Sequence, residues 1–284
     1  MPARSRDDRA MIGEHYRFLR IPISTPEDSM SSLPAAAAGT LCIFEPPYEQ
    51  LVPCAPGTIA ELRDVSQWRG RALVWQLVDH ERQRDEYEQL RHKVPGFPLI
   101  VLLPPPADIH RVLAILPLVR RLSPRMILPY GVLDTPYRLR HILAAPPRNV
   151  AAALTDYIVR RGLLRDRKPI REFKRIVELA PETRNINTLA RRMYTSRRTL
   201  GRHFTASRFP VPSHCLHFAR LLHVAMQLQC DEAAVFRIAA RYGYPDGFTM
   251  SNQMKRLIGY RPSEVRELLG WEWVVEAWLK KEGL

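Results

Sequence analysis

Gly243–Arg266 reads GYPDGFTMSNQMKRLIGYRPSEVR, and its parts decide the fold of the C-terminal half. Gly243 allows a left-handed stop to a preceding helix, Ala233–Tyr242. Asp246 carries the short acceptor side chain that caps a helix start, and the next helix runs from it to Leu257. Apolar Met250 and Met254 recur at helical spacing. Pro262 follows after Gly259, where a proline suits a new first turn. Two helices joined by so short a connection read as a helix–turn–helix.

The same pattern occurs earlier in the chain. Ile186-x-x-Leu189-Ala190-x-x-Met193 matches Val235-x-x-Ile238-Ala239-x-x-Tyr242 at an offset of 49. Beyond the turn the offset is 50: Leu200 matches Met250, Phe204 matches Met254, and Pro212-Ser213 matches Pro262-Ser263. A one-residue change falls naturally in the connection between two helices. In the first copy Asn185 caps a helix through Met193, and Thr195 or Ser196 caps a second helix, Arg197–Ala206. Leu189, Leu200, Phe204, Ile238, Met250 and Met254 are expected in the core. Pro212–Gln229 lies between the copies as one continuous helix of ~27 Å. Successive major grooves on one face of a duplex lie ~34 Å apart, so this helix holds two reading helices near that spacing.

Charge supports the same partner. The chain has 284 residues and a formal net charge of +14. Residues 1–150 carry 19 Lys+Arg against 16 Asp+Glu, whereas residues 185–266 carry 13 against 4. The excess is therefore local to the repeat. A polyanion is implied, and an acidic solvating protein is excluded. Cys42, Cys54, Cys215 and Cys230 form no C-x-x-C pair, which fits a reducing compartment. No secretory leader or membrane-length apolar run is read, so a cytoplasmic protein is expected.

The N-terminal half is built differently and holds 19 of the 25 prolines. Residues 1–38 read as a leader, with Ser31–Gly39 as a small-residue linker. Thr40–Phe44, Ala72–Val78, Pro98–Leu103 and Arg125–Leu128 are short, continuous apolar runs, as buried parallel strands are. Glu81–Lys93, Ile109–Leu122 and Thr135–Leu143 read as helices between them. The expected fold class is α/β plus all-α. A flavodoxin-like parallel α/β domain occupies 39–148 and a linker helix 149–168. An all-helical domain with two helix–turn–helix motifs and a C-terminal helix fills 169–284.

Residues 169–267 resemble the AraC/XylS family of transcription regulators. The resemblance rests on Gly243–Arg266, the paired motifs, and the joining helix with its Arg220-Leu221-Leu222. It implies promoter DNA read by both second helices in adjacent major-groove segments. Gly247 and Phe248 stand where polar residues are usual in the family, Asn252 replaces a common Arg, and Phe209 replaces a common Gly. The N-terminal half does not resemble the family's frequent cupin-type barrel. Residues 40–145 resemble a receiver domain in their strand–helix rhythm, with Asp79 at a strand end. Such a domain's paired acids and lysine are missing, since Glu45-Pro46-Pro47 and Leu128-Pro129 stand in their places. A sensor or dimerisation scaffold without phosphotransfer is therefore expected.

Base contact is expected from Arg198, Gly201 and Arg202 in the first reading helix and from Gly247, Phe248, Ser251 and Asn252 in the second. Arginine donates two hydrogen bonds to guanine, asparagine pairs with adenine, and an aromatic ring can pack on the thymine methyl. Alternatively, Phe248 is an ordinary core aromatic. Thr195, Ser196, Arg197, Thr249, Lys255 and Arg256 are expected to contact phosphate. His214, His217 and His223 invite a metal reading, but no carboxylate lies near them in sequence, and exposed or DNA-adjacent histidines are favoured. No H-E-x-x-H, Walker A or G-x-S-x-G motif occurs, so no enzyme, cofactor or metal is expected. The expected partners are double-stranded promoter DNA, RNA polymerase and a second copy through the N-terminal domain, with no membrane. An architectural or RNA-binding protein using the same basic surface is the competing reading. The tail Trp271–Trp278 reads as an amphipathic helix that docks on the N-terminal half, docks on a second subunit, or simply caps the fold.

Overall fold

Five strands open the described part of the chain: β1 Leu41–Phe44, β2 Leu51–Pro53, β3 Ala72–Gln76, β4 Leu99–Leu102 and β5 Met126–Leu128. The computed structural model describes residues 41–55, 57–77, 82–103, 109–128 and 136–284. The leader at 1–38 and Asp79 lie outside the described residues. Around the strands lie α1 Thr58–Glu61, α2 Val65–Trp68, α3 Arg84–Arg91, α4 Ile109–Arg121 and α5 Pro136–Ala144. The order across the sheet is β2-β1-β3-β4-β5.

The four expected apolar runs all contain strands, and the central ones are covered on both faces. On β3, Leu73 and Trp75 enter one core while Ala72 and Val74 enter another with Ile100, Leu139 and Leu143. The direction of β1 corrects the expectation of a parallel sheet. β3, β4 and β5 run parallel, but β1 is antiparallel to both β2 and β3. The arrangement is therefore a small mixed sheet and is not flavodoxin-like. The physical reason lies in the connections. Glu45–Gln50 is too short for a parallel crossover, which needs a dozen or more residues, and is long enough for a hairpin. Strand β2, with its terminal Pro53, sits at the edge, where the missing N–H is tolerated.

The rest of the chain is helical: α6 Val150–Arg160, α7 Arg167–Leu179, α8 Ile186–Arg192, α9 Arg197–Ala206, α10 Pro212–Cys230, α11 Val235–Arg241, α12 Gly247–Ile258, α13 Pro262–Glu267 and α14 Glu272–Lys281. Segment 149–168 holds α6, a left-handed Gly162 and the start of α7. Asn149 caps α6 by accepting a hydrogen bond from the Ala152 N–H at 2.8 Å.

Residues 37–284 make one unit, and the C-terminal segment is the reason. One hydrophobic core runs without a break from Leu41 in the sheet to Leu279 in α14. Trp273 and Trp278 are fully buried in it. Phe218 of α10 stacks on Trp278 at 4.1 Å, and Tyr157 of α6 meets Trp271 edge-on at 5.6 Å. Polar contacts run alongside. The Tyr48 hydroxyl donates to the Gly70 carbonyl at 2.6 Å and accepts from the Leu269 N–H at 2.8 Å. Arg125, at the start of β5, donates to Glu272 at 2.6 Å and to the carbonyls of Ile142, Leu143 and Ala145. Arg161 and Tyr157 both donate to Glu276. Of the three placements read for the tail, this one is docking on the sheet half. Gly96 marks how close that approach is: a Cβ there would run into the Tyr157 hydroxyl, Glu276 and Trp68.

Candidate nucleic-acid interface

The two copies are built by the same local rules. Asn185 accepts from the Thr188 N–H at 2.9 Å, Ser196 from the Thr199 N–H at 3.0 Å, and Asp246 from the Thr249 N–H at 2.6 Å. Each satisfies one amide left unpaired at a helix start, a contribution of about 1 kcal/mol. In both turns an amide reaches back to the preceding helix: Thr195 N–H to the Ala190 carbonyl, and Tyr244 N–H to the Ala239 carbonyl, each at 3.0 Å. The residue before it is left-handed in both, Tyr194 at φ 51° and Gly243 at φ 72°. Pro245 is then the extra residue that changes the offset from 49 to 50. Arg220 on α10 braces the second turn by donating to the Tyr242 carbonyl at 2.8 Å while its guanidinium lies over the Tyr244 ring.

The six expected core positions, Leu189, Leu200, Phe204, Ile238, Met250 and Met254, are all fully buried. Their burial turns the opposite faces of α9 and α12 outward. Arg197, Arg198 and Arg202 are exposed on α9, and Gly201 is half-buried with open space where a Cβ would stand. Arg197 donates to Asn187 of α8 at 3.3 Å. Among the described residues, Arg198 and Arg202 have no ion-pair or hydrogen-bond partner for their side chains. On α12, Phe248, Thr249, Asn252, Lys255 and Arg256 are exposed, while Gly247 and Ser251 are half-buried. Phe248 is 76% exposed, which removes the core-aromatic reading.

Several hydroxyls expected at phosphate are committed within the protein. Ser196 is occupied as the cap of α9, and the Thr249 hydroxyl donates to Asp246 at 3.2 Å. The Thr249 N–H, and then its hydroxyl, hold the Asp246 carboxyl below the usual range, so a fixed negative charge sits at the start of α12. Thr195 is half-buried beside the first turn.

On the joining helix His214 is exposed and His217 half-buried, and only His223 departs from the expectation. His214 lies 3.1 Å from Glu282, a carboxylate brought from α14's end and invisible in the local sequence. His223 is buried, and burial pushes its pKa down to about 4, so it is neutral at physiological pH and faces no DNA. Among the described residues no group of three His, Cys, Asp or Glu could hold a metal ion. Among them, too, no helix is long and apolar enough to cross a membrane.

Some surface residues escaped the sequence reading. Tyr194 is 99% exposed and Phe236 63%. The repeat itself carried the signal: Tyr194 aligns with Gly243, and Phe236 aligns with the polar Asn187. Helix α7 also presents exposed Arg167, Lys168 and Arg171 next to the first copy, to which Glu172 ties it through His203 at 2.8 Å.

A family model described as a helix-turn-helix domain matches residues 189–268, from α8 to just past α13. The match covers the second helix of the first copy and the whole of the second copy. No curated protein matches the chain. The C-terminal part is thus a helix–turn–helix DNA-binding domain. Its family match supports a DNA-binding transcription regulator.

Proposed function

We propose that this protein is a sequence-specific regulator that reads two adjacent major-groove segments of promoter DNA, one with α9 and one with α12. The observation that carries this reading is the equivalence of the two copies across α10. Each presents the exposed first turns of its second helix, and the 19-residue α10 that joins them is about 28 Å long. That length suits two grooves on one face of a duplex.

The chemistry divides between the helices. Arg198 and Arg202 are four residues apart on one helical face. With no acid among the described residues to hold them, they are available to donate to guanine O6 and N7. Asn252 suits adenine, and Ser251 a neighbouring base edge. Arg197, Lys255 and Arg256 suit phosphate, Thr195 stands beside them, and Ser196 and Thr249, already bonded at the helix caps, hold the helix starts in place. Gly201 and Gly247 keep the helix backbones unobstructed. Residues 39–148 act as the sensing or dimerising part, and RNA polymerase is the further partner of a promoter-bound regulator. The buried Arg125–Glu272 pair offers a path by which a change at the sheet reaches the helices.

Arg202→Ala tests this assignment. Discrimination at one base pair should fall by roughly 1–3 kcal/mol while other positions keep theirs. The readout is binding to a panel of single-base operator variants at fixed salt. Uniform weakening across the panel, with the salt slope reduced by about 1, would make Arg202 a phosphate contact instead.

A further inference from the structure

The two copies differ most where the first helix meets the start of the reading helix. In the first copy that junction is polar: Arg197 donates to Asn187 at 3.3 Å. The equivalent positions in the second copy are Phe236 and Gly247. Phe236 keeps its ring 63% exposed, and Phe248, the next residue after Gly247, is 76% exposed. A Cβ at Gly247 would meet the Phe236 backbone at 3.6 Å, an ordinary contact, so α11 packs close to the start of α12 there and an alanine would fit. Single exposed apolar residues are common on proteins, but here two exposed rings flank one glycine, and the Arg237 guanidinium lies 5.8 Å from the Phe236 ring. Phe236 stands on α11 and Phe248 at the N-terminal turn of α12, with the exposed Asn252 one turn further on.

We infer that Phe236 and Phe248 together form an apolar surface that recognises thymine methyl groups, so that the half-site under the second copy is thymine-rich while the one under the first carries guanine. The inference rests on α12 lying in a major groove. In that groove the thymine C5-methyl is the one apolar group displayed on a base edge. Asn252 shares a helical face with Phe248, four residues away. An asparagine on adenine beside a ring on a thymine methyl describes neighbouring A·T pairs. In the first copy Arg198 and Arg202 face outward with a polar junction behind them, and its exposed ring, Tyr194, stands in the turn before Ser196 and not on the reading helix. The operator is therefore chemically asymmetric, and the protein binds it in one orientation.

The test uses the full chain and the duplex recovered by selection from random sequences. Thymines of the second half-site are replaced by deoxyuridine, which removes the methyl and leaves every hydrogen-bonding group in place. Affinity should drop about 4-fold for each methyl in contact, given the usual gain from burying one such group. The same replacement in the first half-site should change little. Phe236→Ser/Phe248→Ser should bind the thymine duplex as weakly as the parent binds the deoxyuridine duplex, and should be indifferent to the replacement. Both rings are exposed, so the variant should fold, which circular dichroism checks. Equal binding of both duplexes by the parent, or a variant that stays fully methyl-sensitive, overturns the inference. If Arg202→Ala still relaxes one base pair in that case, two-groove reading stands and only the apolar assignment fails. A lack of base preference in both experiments overturns both.

Discussion

Trp278→Ala should lower the stability of the chain by about 3–5 kcal/mol, the cost of emptying a fully buried aromatic site. The ring is completely enclosed, stacked on Phe218 at 4.1 Å with planes 5° apart, and met edge-on by Phe209 at 6.2 Å. Its indole N–H donates to Glu282 at 3.2 Å, so truncation also removes that bond, while Glu282 keeps His214 at 3.1 Å. Phe209, at a place where the resembled family commonly has glycine, is part of this cluster and packs on Phe173 and Phe204 as well. The loss should therefore be felt by α7, α9 and α10 at once. Chemical denaturation followed by circular dichroism and by tryptophan fluorescence should show the same shift, because the core continues from α14 into the sheet that holds Trp75. A shift seen by one probe and not the other would mean that the sheet and the helices unfold separately.

Glu272→Ala should cost a similar amount, about 3–5 kcal/mol, for an electrostatic reason. Glu272 and Arg125 are both nearly out of solvent and 2.6 Å apart. Burial pushes the Glu272 carboxyl up, against the pull of Arg125, Lys93 and Arg160. The direct contact with the Arg125 guanidinium favours the ionised form. Removing the carboxylate leaves Arg125 with carbonyl oxygens but no counter-charge. Lys93 stands by as a second buried cation, its pKa already lowered to about 8 by burial and by Arg160. Replacing both partners, with Arg125→Met and Glu272→Leu together, should recover part of the loss, since no buried charge is left unpaired while the Ile142, Leu143 and Ala145 carbonyls lose their donor. Denaturation midpoints of the three proteins at pH 7 measure this. A double variant no better than Glu272→Ala would show that Arg125 matters through the α5 carbonyls, not through Glu272.

The helix–turn–helix part was legible because its signals are local. Caps at Asn185, Ser196 and Asp246, a left-handed stop at Gly243 and apolar spacing on each second helix depend on residues within a few positions of one another. Duplication then made each copy a check on the other. The sheet was legible in part. A strand buried on both faces reads as the same apolar run in either direction, so Leu41–Phe44 announced burial but not that β1 runs antiparallel. Long-range pairing left no local trace. Nothing near Arg125 points to Glu272, 147 residues away, and nothing near His214 points to Glu282. The exposure of Phe236 was hidden for the opposite reason. An aromatic beside a buried helix position looks like core until the packing of Val235 and Ile238 shows which way the helix is turned.

Selection from a pool of random duplexes with the full chain is the most direct test of the central claim. The expected outcome is a two-part motif, its halves one helical turn apart, with guanine in one half and an A·T-rich other half. Recovery of bound duplexes with no enriched motif would contradict sequence-specific reading and leave only a basic surface that holds any DNA.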